Sequence, residues 1–233
     1  KQGQALWYGR LQSWLPPDVS VWVVQREQQS APEYARMWLR DAAESDDLQT
    51  YRRAFAEYQE DFAARSVDKV GFGLVYLHRP QPTETPWQYW EEYAALVNPP
   101  LGTAIGRTVQ RLNELGARGN ALEFSEETLQ RVGALRLQAA PDVTYEQHRR
   151  LGAEDPEIIL LRQGGGFAKV QPLSSAAAGV VGASDGSFTI AELAAGYRSL
   201  LPEEEQPDFE IDPLLAEIGR LYVAGFMTAA VTQ

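Results

Sequence analysis

A partial α/β sheet followed by a smaller α+β domain is the architecture this 233-residue sequence predicts. Three observations carry the expectation. Dense β-branched and aromatic runs, Val19–Arg26 and Val70–Leu77, alternate with amphipathic helical patterns in the first half. That half has too few strands for a complete doubly wound domain and no glycine-rich turn from strand to helix. The second half changes character, with short strands around a triple glycine, then three helices and a closing strand.

The elements follow from local pattern. Leu6, Trp7, Leu11, Trp14 and Leu15 recur at helical spacing within a helix expected over 4–15, and Pro16-Pro17 ends the run. The uninterrupted apolar character of Val19–Arg26 reads as a buried strand. Ser30 with Glu33 forms a capping box, and Pro32 is tolerated in the first turn of the helix through Tyr34, Met37 and Trp38. Tyr51, Phe55, Tyr58 and Phe62 place one aromatic stripe on a second helix, which reads as a core-facing surface. In Val70–Leu77, Gly71 and Gly73 suggest a bend or a close backbone approach. A proline-marked loop (Pro80, Pro82, Pro86) leads into 87–97, which fits either a strand or a helix. As a strand it would close an antiparallel hairpin with Val70–Leu77. Leu101, Ile105, Val109, Leu112 and Leu115 then describe an amphipathic helix ending near Gly116.

A boundary is expected over 117–120. Beyond it Ser125 caps a short helix, and Ala134–Gln138 and Val143–His148 read as extended. Glu157–Gln163 and Phe167–Val170 form a strand and its return around Gly164-Gly165-Gly166. A small helix over Ser174–Val181 follows, then a turn at Asp185-Gly186. A second capping box, Thr189 with Glu192, opens the next helix. Asp212-Pro213 reads as the cap and first turn of the last helix, which stops at Gly225 before a strand over 226–231. A hairpin, three helices and a strand make this half winged-helix-like.

Composition narrows the chemistry. With 44% hydrophobic and 23% charged residues the chain has the balance of a folded domain. It has no cysteine, which excludes disulfides, thiolate metal sites and cysteine nucleophiles. Only His78 and His148 could supply imidazole, and they are too far apart in sequence to suggest a metal site. No apolar run reaches the roughly 18 residues of a membrane span, and no secretory signal is visible. A cytoplasmic setting is therefore expected. Of the net charge of −11, the residues from Leu151 onward carry −8, the opposite of a phosphate-gripping surface.

The candidate motifs carry little. A phosphate loop would need Gly164–Gly166 to open a helix, and a strand follows instead. Glu91/Glu92 and Glu126/Glu127 are adjacent pairs without the facing, differing environments that acid–base work requires. Arg149-Arg150 is a lone basic doublet. Ser174, Ser175 and Ser187 lack a nucleophile-elbow context. The last helix offers Leu214, Leu215, Ala216 and Glu217 where a DNA reader needs Arg, Lys, Asn or Gln, with Arg220 its sole cation.

Several runs nevertheless resemble one family. Val21–Glu27 and Gly71–Pro80 resemble the late strands of bacterial class I S-adenosylmethionine-dependent methyltransferases related to the glutamine-N5 and rRNA guanine-N2 enzymes. Glu154–Gly166, Gly182–Gly186 and Leu221–Phe226 resemble the C-terminal appendage of the same family. The resemblance implies that the cofactor loop and the catalytic Asn-Pro-Pro-aromatic motif lie upstream. Asn98-Pro99-Pro100 echoes that motif, but Leu101 replaces the aromatic and Asn98 comes too late in the fold order. No catalytic, cofactor-binding or metal residue is therefore carried onto this sequence.

The expectations are these. Residues 1–118 form the late part of a methyltransferase α/β domain, and 119–233 a winged-helix-like appendage. A sequence that starts at Lys1, almost inside a helix, reads as cut from a longer protein. The function expected is the scaffold and substrate-side portion of an N-methyltransferase acting on a protein glutamine or an RNA base amine. S-adenosylmethionine is the parent protein's cofactor, with none expected in this chain, which alone is expected to be inactive. The expected partners are the missing N-terminal half and a protein or RNA substrate, with no membrane and no DNA. The alternative is a non-enzymatic protein-interaction module.

Overall fold

A computed structural model describes residues 7–42, 47–81, 84–94, 97–117, 119–120 and 123–230. It is a mixed α/β structure with eight helices and several small sheets among those residues. The expectations on 4–6, Pro82, 95–96, Arg118 and Val231 lie outside the described residues. Backbone proximity groups the chain into two units: Lys1–Trp14, Val21–Leu77 and Trp90–Ala94 in the first, and Leu15–Ser20, His78–Tyr89 and Ala95–Gln233 in the second.

The first unit is organised on β1 (Ser20–Ser30), whose Val21, Trp22, Val23 and Val24 are all buried. A strand buried on both faces must also pair its backbone on both edges. Accordingly, β1 lies between β2 (Lys69–His78) and β3 (Trp87–Glu92). The hairpin expected between Val70–Leu77 and 87–93 therefore does not form, because β1 separates the two strands. Gly73 is what lets β2 come close: a Cβ there would overlap the Val24 carbonyl oxygen. The Trp22 indole N–H donates to Glu91 Oε1 at 2.9 Å, tying the buried strand to β3.

Among the described residues, helix α1 spans Gly9–Gln12 of the longer helix expected. Helices α2 (Ala31–Asp41) and α3 (Leu48–Ala64) pack on each other, and the Ser30–Glu33 capping box forms as expected. The aromatic stripe of α3 is less buried than expected, since no residue of that helix is fully covered. Its rings instead contact a neighbouring side chain or one another: Phe62 lies 6.0 Å from the Tyr34 ring and 5.9 Å from the Tyr58 ring. An aromatic pair of this kind stabilises by edge and offset contact without full burial.

The second unit contains α4 (Gly102–Glu114), β4 (Gly119–Asn120), α5 (Glu126–Ala134), β5 (Leu137–Ala139) and β6 (Val143–His148). It continues with β7 (Ile158–Gln163), β8 (Val170–Pro172), α6 (Ser175–Ala183), α7 (Ile190–Leu200), α8 (Ile211–Ala224) and β9 (Met227–Ala229). Helix α8 is its centre, packed by α4, α5, α6 and α7. Leu214, Leu215, Ile218, Leu221, Tyr222 and Val223 are buried over a broad arc of it, as a helix packed by several others requires, while Pro213 and Arg220 face outward. Strand β9 returns antiparallel to β5, with Ala139 opposite Met227. Strands β6, β7 and β8 form an antiparallel meander, with His148 opposite Ile158 and Arg162 opposite Val170. At the Trp87 end of β3, Trp87 and Gln88 pair in parallel with β4.

Two boundaries differ from expectation for backbone reasons. The return strand begins at Val170, not Phe167, because Gly166 (φ 59°) and Ala168 (φ 49°) are left-handed and cannot extend a ladder. Helix α8 begins one residue before Asp212, and Glu210 caps it without a side-chain bond. Asp212 then sits in the first turn, where its carboxylate meets the positive end of the helix dipole.

Candidate functional site

The site that carries most chemistry is a cavity of about 290 Å³ in the second unit. Helix α4 supplies Arg107 and Arg111, one turn apart on the same face. The turn between β7 and β8 supplies Gly165, Gly166 and Phe167, and β7 itself ends in Gln163. Asp142, at the entry to β6, completes the polar lining.

Arg111 is only 9% exposed, which is rare for a guanidinium. Its charge is met by an aromatic face: the guanidinium carbon lies 5.3 Å from the centroid of the Tyr222 ring. Burial draws the Arg111 pKa below its ordinary value; Tyr222 and Glu114 oppose that shift, and the neighbouring Arg107 adds to it. The cation persists regardless, because arginine stays protonated in proteins. Burial and its hydrogen bond to Glu114 push the Tyr222 phenol well above its ordinary value.

The floor of the cavity is the C-terminal end of α8. Its last carbonyls have no partners within the helix and need them from elsewhere. The Thr108 hydroxyl donates to Val223 O at 3.3 Å, and Gln163 Nε2 donates to Ala224 O at 2.9 Å. Gln163 Oε1 in turn accepts from the Lys169 N–H at 3.2 Å, so one side chain braces the helix end against the turn. Lys169, buried like Arg111, holds its ammonium over the Tyr89 and Phe167 rings at 5.7 and 5.4 Å. Asp142 shapes the turn from the other side, accepting from Gly164 N–H on its carbonyl (2.8 Å) and from Gly165 N–H on Oδ2 (3.0 Å).

Two motifs weighed separately in the sequence meet here. Asn98 donates its backbone N–H to Gly166 O at 2.7 Å and its side-chain Nδ2 to Gly164 O at 3.1 Å. The Asn-Pro-Pro segment thus fastens the glycine turn and leads into α4, with the Asn98 side chain engaged by the turn's backbone. The turn itself joins β7 to β8, as a hairpin reading requires and a phosphate loop does not.

The remaining candidates sit in ordinary structural roles. Glu91 and Glu92 accept from Trp22 and Gln25. Glu126 accepts from Gln130, and Glu127 pairs with Arg131 one turn later. His78 faces Glu84 at 3.5 Å, and His148 lies 3.8 Å from a Glu146 already bonded to Arg162 at 2.6 Å. Ser174 caps α6 and donates its hydroxyl to Glu217. The Ser187 N–H donates to Asp185, and Arg150 pairs with Glu157. Arg220 is exposed on α8. Among the described residues, no three metal-ligating side chains gather, and no helix is long and apolar enough to cross a membrane.

Sequence reasoning missed Arg107, Arg111, Asp142 and Gln163. A signal was present for one of them: Arg111 lies between Val109 and Leu112, on the apolar flank of its own helix, where an unpaired cation would be costly. No protein-family model matches this chain, and no curated protein matches it either.

Proposed function

We propose that this chain is the C-terminal, scaffold and substrate-side portion of an S-adenosylmethionine-dependent N-methyltransferase, with its second half a winged-helix-like appendage. The observation that carries the reading is the set of runs resembling that family, above all Val21–Glu27 and Gly71–Pro80. The first falls on the buried strand β1 and the second on its neighbour β2. A strand buried on both faces is at home inside an α/β sheet. In such an enzyme this portion would orient the acceptor nitrogen for in-line transfer, where positioning supplies much of the rate. The acceptor class is a protein glutamine or an RNA base amine, and the setting is cytoplasmic. The cofactor belongs to the parent protein, and this chain by itself is inactive.

A second reading has its own observation. Strand β2 lies at the edge of its sheet and exposes Leu74, Val75 and Leu77. Such an edge can accept a further strand from another polypeptide, as an interaction module would.

Isothermal titration with S-adenosylmethionine tests the first reading. This chain is expected to bind weakly or not at all, and the protein extended upstream through its reading frame to bind in the micromolar range. Micromolar binding by this chain alone overturns the scaffold assignment. An extended protein that neither binds the cofactor nor transfers a labelled methyl group leaves the interaction module.

A further inference from the structure

The cavity beside the C-terminal end of α8 has a charge pattern that its structural duties do not use up. Thr108 and Gln163 already satisfy the last carbonyls of the helix. Among the described residues, neither Arg107 nor Arg111 forms an ion pair with a carboxylate. Two like charges on one helix face repel, and one of them is nine-tenths buried. Asp142 lines the same cavity and is exposed, with Oδ2 accepting a single backbone N–H. A carboxylate oxygen has lone pairs to spare after one such bond.

We propose that this cavity is a binding site for a free acidic amino acid, of the glutamate or aspartate class. Two guanidiniums and one carboxylate are the charge complement of two carboxylates and one ammonium. Arg107 and Arg111 take the carboxylates, for which the planar fork of arginine is suited. Asp142 takes the ammonium. The Phe167 ring and the neighbouring prolines and alanines give the aliphatic stem an apolar wall. The volume, about 290 Å³, lies at the lower end of small-molecule sites and suits one amino acid better than a nucleotide. A phosphate dianion fits less well, because Asp142 repels it. The proposal does not depend on the methyltransferase reading.

The test is isothermal titration of the whole chain with L-glutamate, L-aspartate, acetate and inorganic phosphate in turn. L-glutamate or L-aspartate is expected to bind, and more tightly than acetate or phosphate. Arg107→Gln, at an exposed position, is expected to weaken that binding by about tenfold or more, the effect of losing one charged hydrogen-bonding partner. Asp142→Asn keeps an oxygen for the Gly165 N–H and is expected to weaken amino-acid binding, while acetate, an anion that Asp142 repels, binds no more weakly than before. Unfolding curves matching the parent establish that both variants are folded. No heat with either acidic amino acid overturns the proposal. So does phosphate binding more tightly than either one, or affinity unmoved in a folded Arg107→Gln.

Discussion

Tyr222 donates its phenolic hydrogen to Glu114 Oε2 at 2.7 Å, across 108 residues of chain, while its ring lies against the Arg111 guanidinium. One side chain thereby couples α8 to α4 by a charged hydrogen bond and by a cation–π contact. Tyr222→Phe keeps the ring and loses the bond, so stability is expected to fall by about 1 kcal/mol in urea unfolding. The pH dependence has a definite sign. The folded phenol is shifted up, so the associated stability is complete below the ordinary tyrosine value of about 10 and is lost as pH rises through the folded value. The Tyr222→Phe protein is expected to lack that share of the alkaline loss.

Gly225 ends α8 in the left-handed region, at φ 95°. A Cβ there would sit 3.1 Å from an Arg111 guanidinium nitrogen and 3.2 Å from Gln163 Nε2. Gly225→Ala is expected to cost about 1–2 kcal/mol from backbone strain, with further loss from displacing these two side chains. Gly196, inside α7 with open space where its Cβ would go, is the contrast. Gly196→Ala is expected to stabilise by about 0.5–1 kcal/mol. Paired urea curves check both.

Gly73 permits the approach of β2 to β1, since a Cβ would overlap the Val24 carbonyl oxygen. Gly73→Ala is expected to force the strands apart at a cost of about 2–3 kcal/mol. Amide hydrogen exchange over Val21–Val24 reads the local consequence, with faster exchange expected there than in α8. Unchanged protection would show that β2 does not depend on this close approach.

Acid is expected to loosen the helix starts. Glu33 is held below the ordinary carboxylate value by hydrogen bonds from the Ser30 hydroxyl and backbone, and Glu192 likewise by the Thr189 backbone and hydroxyl. A depressed folded value means that the stabilisation is present above the ordinary carboxylate range, near pH 4, and is lost as pH falls through the lower folded values. Circular dichroism at 222 nm is expected to show earlier acid melting in Ser30→Ala and Thr189→Ala. At neutral pH both variants are expected to have lower thermal midpoints.

Much of this fold was legible one residue at a time. Ser30 with Glu33, Ser125 and Thr189 with Glu192 all act as the caps their spacing announces, while Ser174, expected inside its helix, turns out to cap it. Gly225 stops the last helix as expected, and Gly73 marks the close approach its place in a strand suggested. The aromatic stripe of α3 was legible as a face, but its degree of burial was not, because that depends on how much neighbouring surface meets it. The pairing of β1 between β2 and β3 was not legible either. Both orders satisfy the same strand patterns, and only the need to cover both edges of the buried Val21–Val24 run separates them.

Local pattern thus sets which residues start, line and end each element, since capping and amphipathic spacing act within a few residues of chain. The cavity belongs to a different scale. Arg111, Asp142, Gln163 and Gly225 come from four separated stretches of sequence. Nothing in the periodicity of one helix says which helix end or which turn will face it. Packing around α8 makes that choice, because burying its broad apolar face brings α4 and the β7–β8 turn to the same end of the helix.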